Sequence, residues 1–350
     1  MNANAKERIA VALSGGVDST AAAVLMRRKG MDLLALTMLQ LEGEDSASGD
    51  VGSARAIAGA LGIEHLVLDV RDDFTRLVIE PFLEEYSRGI TPNPCVTCNR
   101  EVKFGLLLSA ALEAGCAGMA TGHYALIAVD RNGTRRLMRS LDRSKDQSYV
   151  LWTLEEKRLE LLEFPIGEVT RREAVEIVRE AGLSTHTRPA SQDVCFLQGG
   201  SYRDAVTRFA PGSVLPGPIL DSGGQVLGAH RGLPFYTVGQ RRGLGLGGDR
   251  ALYVLELRPE DNAIVVGVEK QLACVTFEVR DVSFTAGVPG RSFSCEVETR
   301  YRGAARPARV YLAEGHTATV RYTEPGPPAA PGQSAVFYAG DELVGGGIIR

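Results

Sequence analysis

The stretch Leu13-Ser14-Gly15-Gly16-Val17-Asp18-Ser19 constrains the chain most. It follows an apolar run, Arg8–Leu13, and opens a helical pattern, Val17–Arg28. Glycines at a strand-to-helix turn let the backbone come close to a bound group. The helix start offers unpaired N–H groups and a partial positive charge, a combination that suits a phosphate. Ser14 and Ser19 add hydroxyl donors, and Asp18 can hold a magnesium ion or cap the helix. No Gly-Lys-Ser/Thr follows, which excludes a Walker A loop, and the Gly-x-Gly-x-x-Gly spacing of a dinucleotide turn is also missing. The alternative is an ordinary tight turn closed by a serine cap.

The residues around this turn alternate in the same way. Apolar runs at Arg8–Leu13, Asp32–Met38, His65–Val70 and Ala117–Thr121 predict buried parallel strands. Helical patterns at Val17–Arg28, Ser53–Leu61, Phe74–Ser87 and Arg100–Ala114 predict helices on both faces of the sheet. Such sheets bind ligands beyond the carboxyl ends of their strands. Met38 closes the second strand, where it either packs on an adenine ring or serves as plain core. Gln40–Gly52 reads as a mobile acidic loop. Tyr124–Val129 and Arg135–Arg139 flank Arg131-Asn132-Gly133, a hairpin signal. Val150–Leu154 reads as an apolar helix start, and Glu155–Leu162 and Thr170–Ala181 as amphipathic helices.

After Phe209 the composition changes. Pro211-Gly212 and Pro216-Gly217-Pro218 mark a linker, and short strands follow at Pro218–Leu220, Gln225–Leu227, Tyr253–Arg258 and Ala263–Val268. From Cys274 onward the pattern is all β, with alternation in Cys295–Thr299, Ala308–Leu312, Thr317–Tyr322 and Ala335–Tyr338, which suggests a small barrel. The expected organisation is an α/β domain with a parallel sheet over residues 1–209, a β-rich domain over 210–273 and a β-barrel over 274–350. The 350 residues suffice for separate cores. Met1–Ile9 lacks an apolar signal segment and no apolar run spans a bilayer, so a cytoplasmic protein with no membrane partner is expected.

Six cysteines in such a chain argue against a disulfide scaffold. Cys116, Cys274 and Cys295 sit in apolar or strand-like surroundings and read as small hydrophobes. Cys95 and Cys98 lie in Thr91-Pro92-Asn93-Pro94-Cys95-Val96-Thr97-Cys98-Asn99-Arg100, where the prolines impose an extended entry to a helix from Asn99 or Arg100. A thiol at a helix N-terminus has a stabilised thiolate. Cys-x-x-Cys is also half a zinc site, but no second pair of ligands stands at short spacing, so no metal site is expected; a thioredoxin-like pair is the other reading. Cys195, in Asp193-Val194-Cys195-Phe196, reads by itself as a buried strand cysteine. In Ala120-Thr121-Gly122-His123-Tyr124-Ala125, Gly122 permits close approach and His123 can donate to an anion or a base. The net charge of −4 argues against a nucleic-acid partner, but Arg131, Arg135, Arg136, Arg139, Arg143 and Lys145 form a basic run that is either a solvated face or a phosphate contact. Arg300-Tyr301-Arg302 can bind phosphate and stack on a base, and the glycine-rich basic stretch Tyr236–Gly247 reads as a backbone contact or a flexible turn.

Taken in order, Ser14–Ser19, Asn93–Cys98, Ala120–Ala125, Lys145–Leu151, Asp193–Phe196, Tyr236–Gly247, Thr299–Arg302 and Pro331–Tyr338 resemble, over nearly the full length, the tRNA 2-thiouridylases of bacteria and organelles (the MnmA/TrmU family). That family belongs to the PP-loop ATP pyrophosphatases, with an adenine nucleotide α-hydrolase-like fold. The resemblance implies ATP-dependent replacement of the wobble uridine 2-oxygen by sulfur in tRNAs for Lys, Glu and Gln. It further implies magnesium as cofactor and a cysteine desulfurase or sulfur-relay protein as persulfide donor. The family nucleophile matches Cys98 and the persulfide carrier matches Cys195, which end the reaction as a disulfide, so a mobile segment around Cys195 is expected. Asp18 serves the pyrophosphate site. Ala12, Leu13, Ser14, Gly15, Gly16, Val17, Asp18, Ser19, Met38 and Gly122 match ATP contacts. Asn93, Pro94, Cys95, His123, Lys145, Asp146, Gln147, Arg300, Tyr301 and Gln333 match tRNA contacts. Many members carry Asp at the positions of Cys95 and Ala190. The competing readings are an amide-forming PP-loop synthetase, which has no use for two thiols, and a non-catalytic ATP-sensing RNA-binding protein.

Overall fold

The computed structural model describes residues 7–44, 49–185, 194–197, 201–209, 211–247 and 250–350. In the first domain the strands are β1 (Arg8–Ala12), β2 (Asp32–Leu39), β3 (Glu64–Asp69), β4 (Gly118–Ala120), the hairpin of β5 (Ala125–Val129) and β6 (Arg135–Arg139), and the two-residue β7 (Leu162–Glu163). A parallel sheet runs in the order β3-β2-β1-β4-β7, with Ala10 of β1 in register with Leu34 on one side and Met119 on the other. Helices α1 (Val17–Arg28) and α2 (Asp50–Leu61) bury Val24, Ile57 and Leu61 with Val11 and Leu33 on one face. Phe104, Leu107, Trp152 and Leu162 share a core with Ala10, Leu34 and Met119 on the other. Burial on both faces accounts for the continuous apolar runs of the central strands.

Several expectations are corrected here. Among the described residues β3 is an edge strand of the sheet, and its Leu66 and Val67 are 41% and 40% exposed. Helix α2 starts at Asp50, which shortens the 40–52 loop; residues 45–48 of that loop lie outside the described residues. The stretch 155–162 is helical only over Glu156–Leu159, because Leu162 enters the sheet opposite Met119. The helix start expected at Val150–Leu154 is a short 3₁₀ turn, Ser148–Leu151. By contrast, the hairpin forms with Ala125 opposite Arg139. Helix Arg171–Glu180 begins with a capping box of Thr170 and Glu173.

From β3 the chain crosses to β4, on the far side of β1. The strand order therefore reverses between β1 and β4, and a crevice opens there at the carboxyl ends, where open α/β sheets hold ligands.

The central strands β8 (Gly217–Asp221), β9 (Val226–His230), β10 (Tyr253–Arg258) and β11 (Ala263–Gly267) form a sheet in the order β10-β11-β8-β9. The last domain contains β12 (Cys274–Phe284), β13 (Ser292–Glu298), β14 (Arg306–Ala313), β15 (Thr317–Gly326), β16 (Ser334–Ala339) and β17 (Glu342–Ile349), closed into a barrel by pairing of β12 with β17. Alternation alone did not reveal β12 or β17. β17 contains Gly345-Gly346-Gly347, and a Cβ on Gly346 would stand 2.9 Å from the Trp152 ring.

The barrel docks on the first domain. Hairpin strand β6 pairs with β17 through Met138 and Glu342, so the sheet runs on from barrel to hairpin. The Trp152 indole donates to Ser334 Oγ (3.0 Å) and the Tyr149 hydroxyl to the Ser334 carbonyl (2.8 Å). The half-buried guanidinium of Arg139 is ion-paired with Asp146 (3.2 Å) and Glu298 (2.5 Å) and lies 3.5 Å above the Tyr338 ring centroid. Most of the basic run is spent in this way. Arg135 pairs with Glu163, Arg136 with Asp130 and Glu342, and Arg143 with Asp341.

Candidate active site

The 13–19 loop lies at the crevice. Gly15 has a φ of +77°, and a Cβ there would stand 2.8 Å from the Cβ of Ser53, so the turn requires glycine. Leu13 still holds the sheet through its N–H to the Leu36 carbonyl (2.8 Å). Ser19 Oγ accepts from the Ser14 N–H at 3.1 Å and bonds Ser14 Oγ at the same distance, which draws the loop into a ring. Gly16 is the N-cap of α1 and no side chain caps that helix, so the serine-cap alternative fails and the helix N-terminus stays open to an anion. Asp18 does not cap either. It is ion-paired with Arg171 and accepts the Tyr124 hydroxyl at 2.8 Å. Gly122 lies against the loop, since a Cβ there would stand 2.6 Å from the Ser19 nitrogen. Ala12, Val17 and Met38 are half-buried, and Met38 packs at the carboxyl end of β2 against two cores.

The cysteines stand beside the same end of the sheet. The helix they begin starts earlier than expected: Asn93 is its N-cap, with Oδ1 accepting from the Cys95 N–H (3.2 Å), and the buried Pro94 is its first residue. Cys95 is exposed; Cys98, a turn further on, is buried in a core with Val70, Phe74, Val78 and Val102. Burial pushes the Cys98 thiol up to about 11, so desolvation outweighs the helix N-terminus and the expected stabilised thiolate is corrected. Gln40 Nε2 lies 4.0 Å from Cys98 Sγ. Cys195 is not a buried strand residue; it is exposed at the start of a short turn, Cys195–Leu197. Phe196 anchors that turn, with its ring centroid 5.2 Å from Phe82 and 6.0 Å from Phe74, and joins the core that holds Cys98. The segment 186–193, with Ala190, lies outside the described residues.

Lys103, which the sequence reading did not single out, carries a positive charge that acts on all three thiols. Desolvation in the crowded cleft pushes Cys95, Cys98 and Cys195 above the ordinary thiol range, and in each case the Lys103 charge pulls the other way. Cys98–Leu107 is wound as a π-helix, whose wider turn brings Lys103 nearer to the face of Cys98 than an α-helix does. A 3.6-residue period puts it elsewhere, and no sequence signal marks the change of winding. Arg171 and Tyr124 were missed as partners of Asp18 because only the tertiary fold brings them there.

The expected RNA contacts divide. Tyr301 is 40% exposed on the turn after β13, with its ring 5.9 Å from Tyr149 and Arg302 5.2 Å above it. It lines a cleft of about 620 Å³ together with Arg139, Arg143, Asp146 and Arg302. Arg300 is exposed on the same turn and Lys145 is half-buried. Asp146, Gln147, Gln333 and His123 are engaged inside the protein. Asp146 pairs with Arg139, Gln147 accepts the Tyr124 N–H (2.9 Å), and Gln333 donates to the Thr91 carbonyl (2.8 Å). His123 is buried beside Phe104 and Phe164 with Nδ1 2.8 Å from Thr121 Oγ1, and desolvation holds its pKa well below the usual range.

Family models match all three parts: a tRNA methyl transferase HUP domain over residues 7–199, a tRNA methyl transferase PRC-barrel domain over 204–268 and an aminomethyltransferase beta-barrel domain over 274–349. The tRNA-specific 2-thiouridylase MnmA of Roseiflexus sp. (strain RS-1) is 42% identical, with 98% of this chain and 99% of the relative covered. That of Desulforudis audaxviator (strain MP104C) is 43% identical, with 97% and 98% covered. A solved 4-thiouridine synthetase–RNA complex with bound ATP is 15% identical over 50% of this chain and 41% of that chain, with a TM-score of 0.34, too low a score to bear on function. A glycine-serine loop at the switch point of a parallel sheet, with two β domains behind it, defines a PP-loop α/β protein. Within that class, the chain belongs to the tRNA-specific 2-thiouridylase family of sulfurtransferases.

Proposed function

We propose that this protein replaces the 2-oxygen of the wobble uridine with sulfur in tRNAs for Lys, Glu and Gln, at the expense of ATP. One observation carries the reading: Cys98, the Cys195 turn and the 13–19 loop share one end of the parallel sheet. A uridine carbonyl is a poor electrophile and its oxygen a poor leaving group. Attack of that oxygen on the α-phosphate of ATP gives an O-adenylate, and the pyrophosphate leaves against the loop N–H groups and Ser14, where the open helix N-terminus offsets its charge.

Asp18 is the carboxylate of the loop, and one carboxylate beside phosphate oxygens suits magnesium, which would supply further charge neutralisation there. Arg171 and Tyr124 hold that carboxylate in place. Cys195 receives sulfur from a desulfurase or relay protein as a persulfide. Its terminal sulfur adds at C2 and AMP leaves. Cys98 attacks the inner sulfur, which releases the 2-thiouridine and leaves a Cys98–Cys195 disulfide. If Cys98 acts first and frees hydrosulfide, the same disulfide results. Lys103 favours the thiolate that either route requires. Tyr301 offers a stacking surface for a splayed anticodon base, and Arg300 a cation for the backbone.

The test is purified protein with unmodified tRNA, ATP, magnesium and a persulfide donor, followed by nucleoside mass spectrometry. We expect 2-thiouridine at the wobble position with AMP and pyrophosphate in equal amounts. Pyrophosphate release without sulfur in tRNA, or turnover with ammonia, would contradict the reading and favour an amide-forming synthetase.

A further inference from the structure

Cys95 has no task in the reaction just described. It stands in Cys95-Val96-Thr97-Cys98, at the second position of the helix that Asn93 caps, and it is exposed where Cys98 is buried. Residues three apart on a helix face one side, with Cβ atoms about 5–6 Å apart. A disulfide brings Cβ atoms to about 3.8 Å, so a modest tightening of the first turn joins the pair. Cys195 completes the group: its neighbour Phe196 packs into the core that holds Cys98, with its ring 6.0 Å from Phe74. An exposed thiol one turn before a buried one, beside a third that forms a transient disulfide with the buried one, is the arrangement needed for disulfide relay.

We propose that Cys95 resolves the Cys98–Cys195 disulfide left by each turnover, an inference that rests on the function proposed above. The Cys95 thiolate attacks Cys98 Sγ. The Cys95–Cys98 bond forms as the Cys98–Cys195 bond breaks, and Cys195 leaves as a thiolate that takes up the proton Cys95 has lost. This exchange involves no net oxidation. The two electrons enter afterwards, from an external dithiol that reduces the pair through the exposed Cys95. Cys195 is thus free to accept new sulfur while its former partner is still oxidised.

The experiment is a single turnover of persulfide-loaded full-length protein with tRNA and ATP in the absence of reductant. It is quenched with an alkylating agent, and the disulfides are mapped by mass spectrometry. The wild type should yield 2-thiouridine, a Cys95–Cys98 disulfide and alkylated Cys195. In Cys95→Ser the bond should remain between Cys98 and Cys195. Thiouridine accompanied by a wild-type Cys98–Cys195 disulfide and alkylated Cys95, or by no disulfide at all, overturns the relay and leaves the thiolation intact. Absence of thiouridine in the wild type defeats the underlying function as well.

Discussion

The carboxylate oxygen of Asp18 that is ion-paired with Arg171 also accepts the hydroxyl of Tyr124, at 2.8 Å. Both partners come from outside the loop, so the position of Asp18 is set by the packing of helix Arg171–Glu180 on α1 and by the chain that leaves β4. Asp18→Ala should lower AMP release by about a hundredfold or more, the scale of losing a charge-stabilising group, and leave tRNA binding largely unchanged. Arg171→Ala should cause a smaller loss in the same assay, because the carboxylate survives but is no longer held. Normal AMP production by Asp18→Ala would remove the loop from catalysis.

Lys103 is the cation shared by the thiols. A nearby positive charge favours the thiolate, so its removal raises the thiol pKa further. Lys103→Met should slow alkylation of Cys98 several-fold at pH 9 and move its pH profile upward, whereas Lys103→Arg should keep the wild-type profile. Site-resolved alkylation rates from pH 7 to 10 make the comparison, and identical profiles for all three proteins would deny Lys103 this role.

Arg139, paired with Asp146 of its own domain, ties the first domain to the barrel through Glu298, and both carboxylates are 8% exposed. Removing one member of a buried ion pair strands the others and costs about 3–5 kcal/mol. Arg139→Met should therefore destabilise the protein on that scale. Trp152 is the single tryptophan and is buried against Gly346, so its fluorescence reports on docking directly. We expect its emission to shift to the red at lower denaturant in Arg139→Met; an unchanged midpoint would mean that the network contributes nothing.

His123 is held neutral by burial, and its folded-state pKa lies well below the usual histidine value of about 6.5. The unfolded chain then binds a proton near pH 6.5 that the native chain refuses. Stability from this group is present above that pH and is lost as the pH falls. His65 and His230 are shifted in the same direction, also chiefly by burial. Denaturation midpoints should fall between pH 7 and pH 5, and His123→Gln should flatten that fall.

What could be read ahead of the structure was what is local in the chain. The strand–loop–helix around Gly15 and Gly16, the Asn132-Gly133 hairpin and the helix expected from Thr170 each depend on residues within a few positions of one another. Non-local features escaped. Strand β17 owes its place to glycines that make room for Trp152, and the pairing of β6 with β17 joins the ends of segments about two hundred residues apart. In the site, the two prolines signalled the entry to a helix, though one expected at Asn99 or Arg100, and the burial of Cys98 depends on Phe74 and Val78, far from it in sequence. The basic run stayed open between a solvated face and a phosphate contact because several of the carboxylates that neutralise it, Glu163, Glu298, Asp341 and Glu342, arrive from later strands and turns.

The account depends most on sulfur passing between Cys195 and Cys98. The most direct measurement is 2-thiouridine formed per enzyme with Cys98→Ser and with Cys195→Ser, each given the same tRNA, ATP and persulfide donor as the wild type. Loss of thiouridine by at least about a thousandfold in both variants, with tRNA binding retained, is the predicted result, in keeping with removal of an essential nucleophile. Thiolation at near wild-type levels in either variant would contradict it.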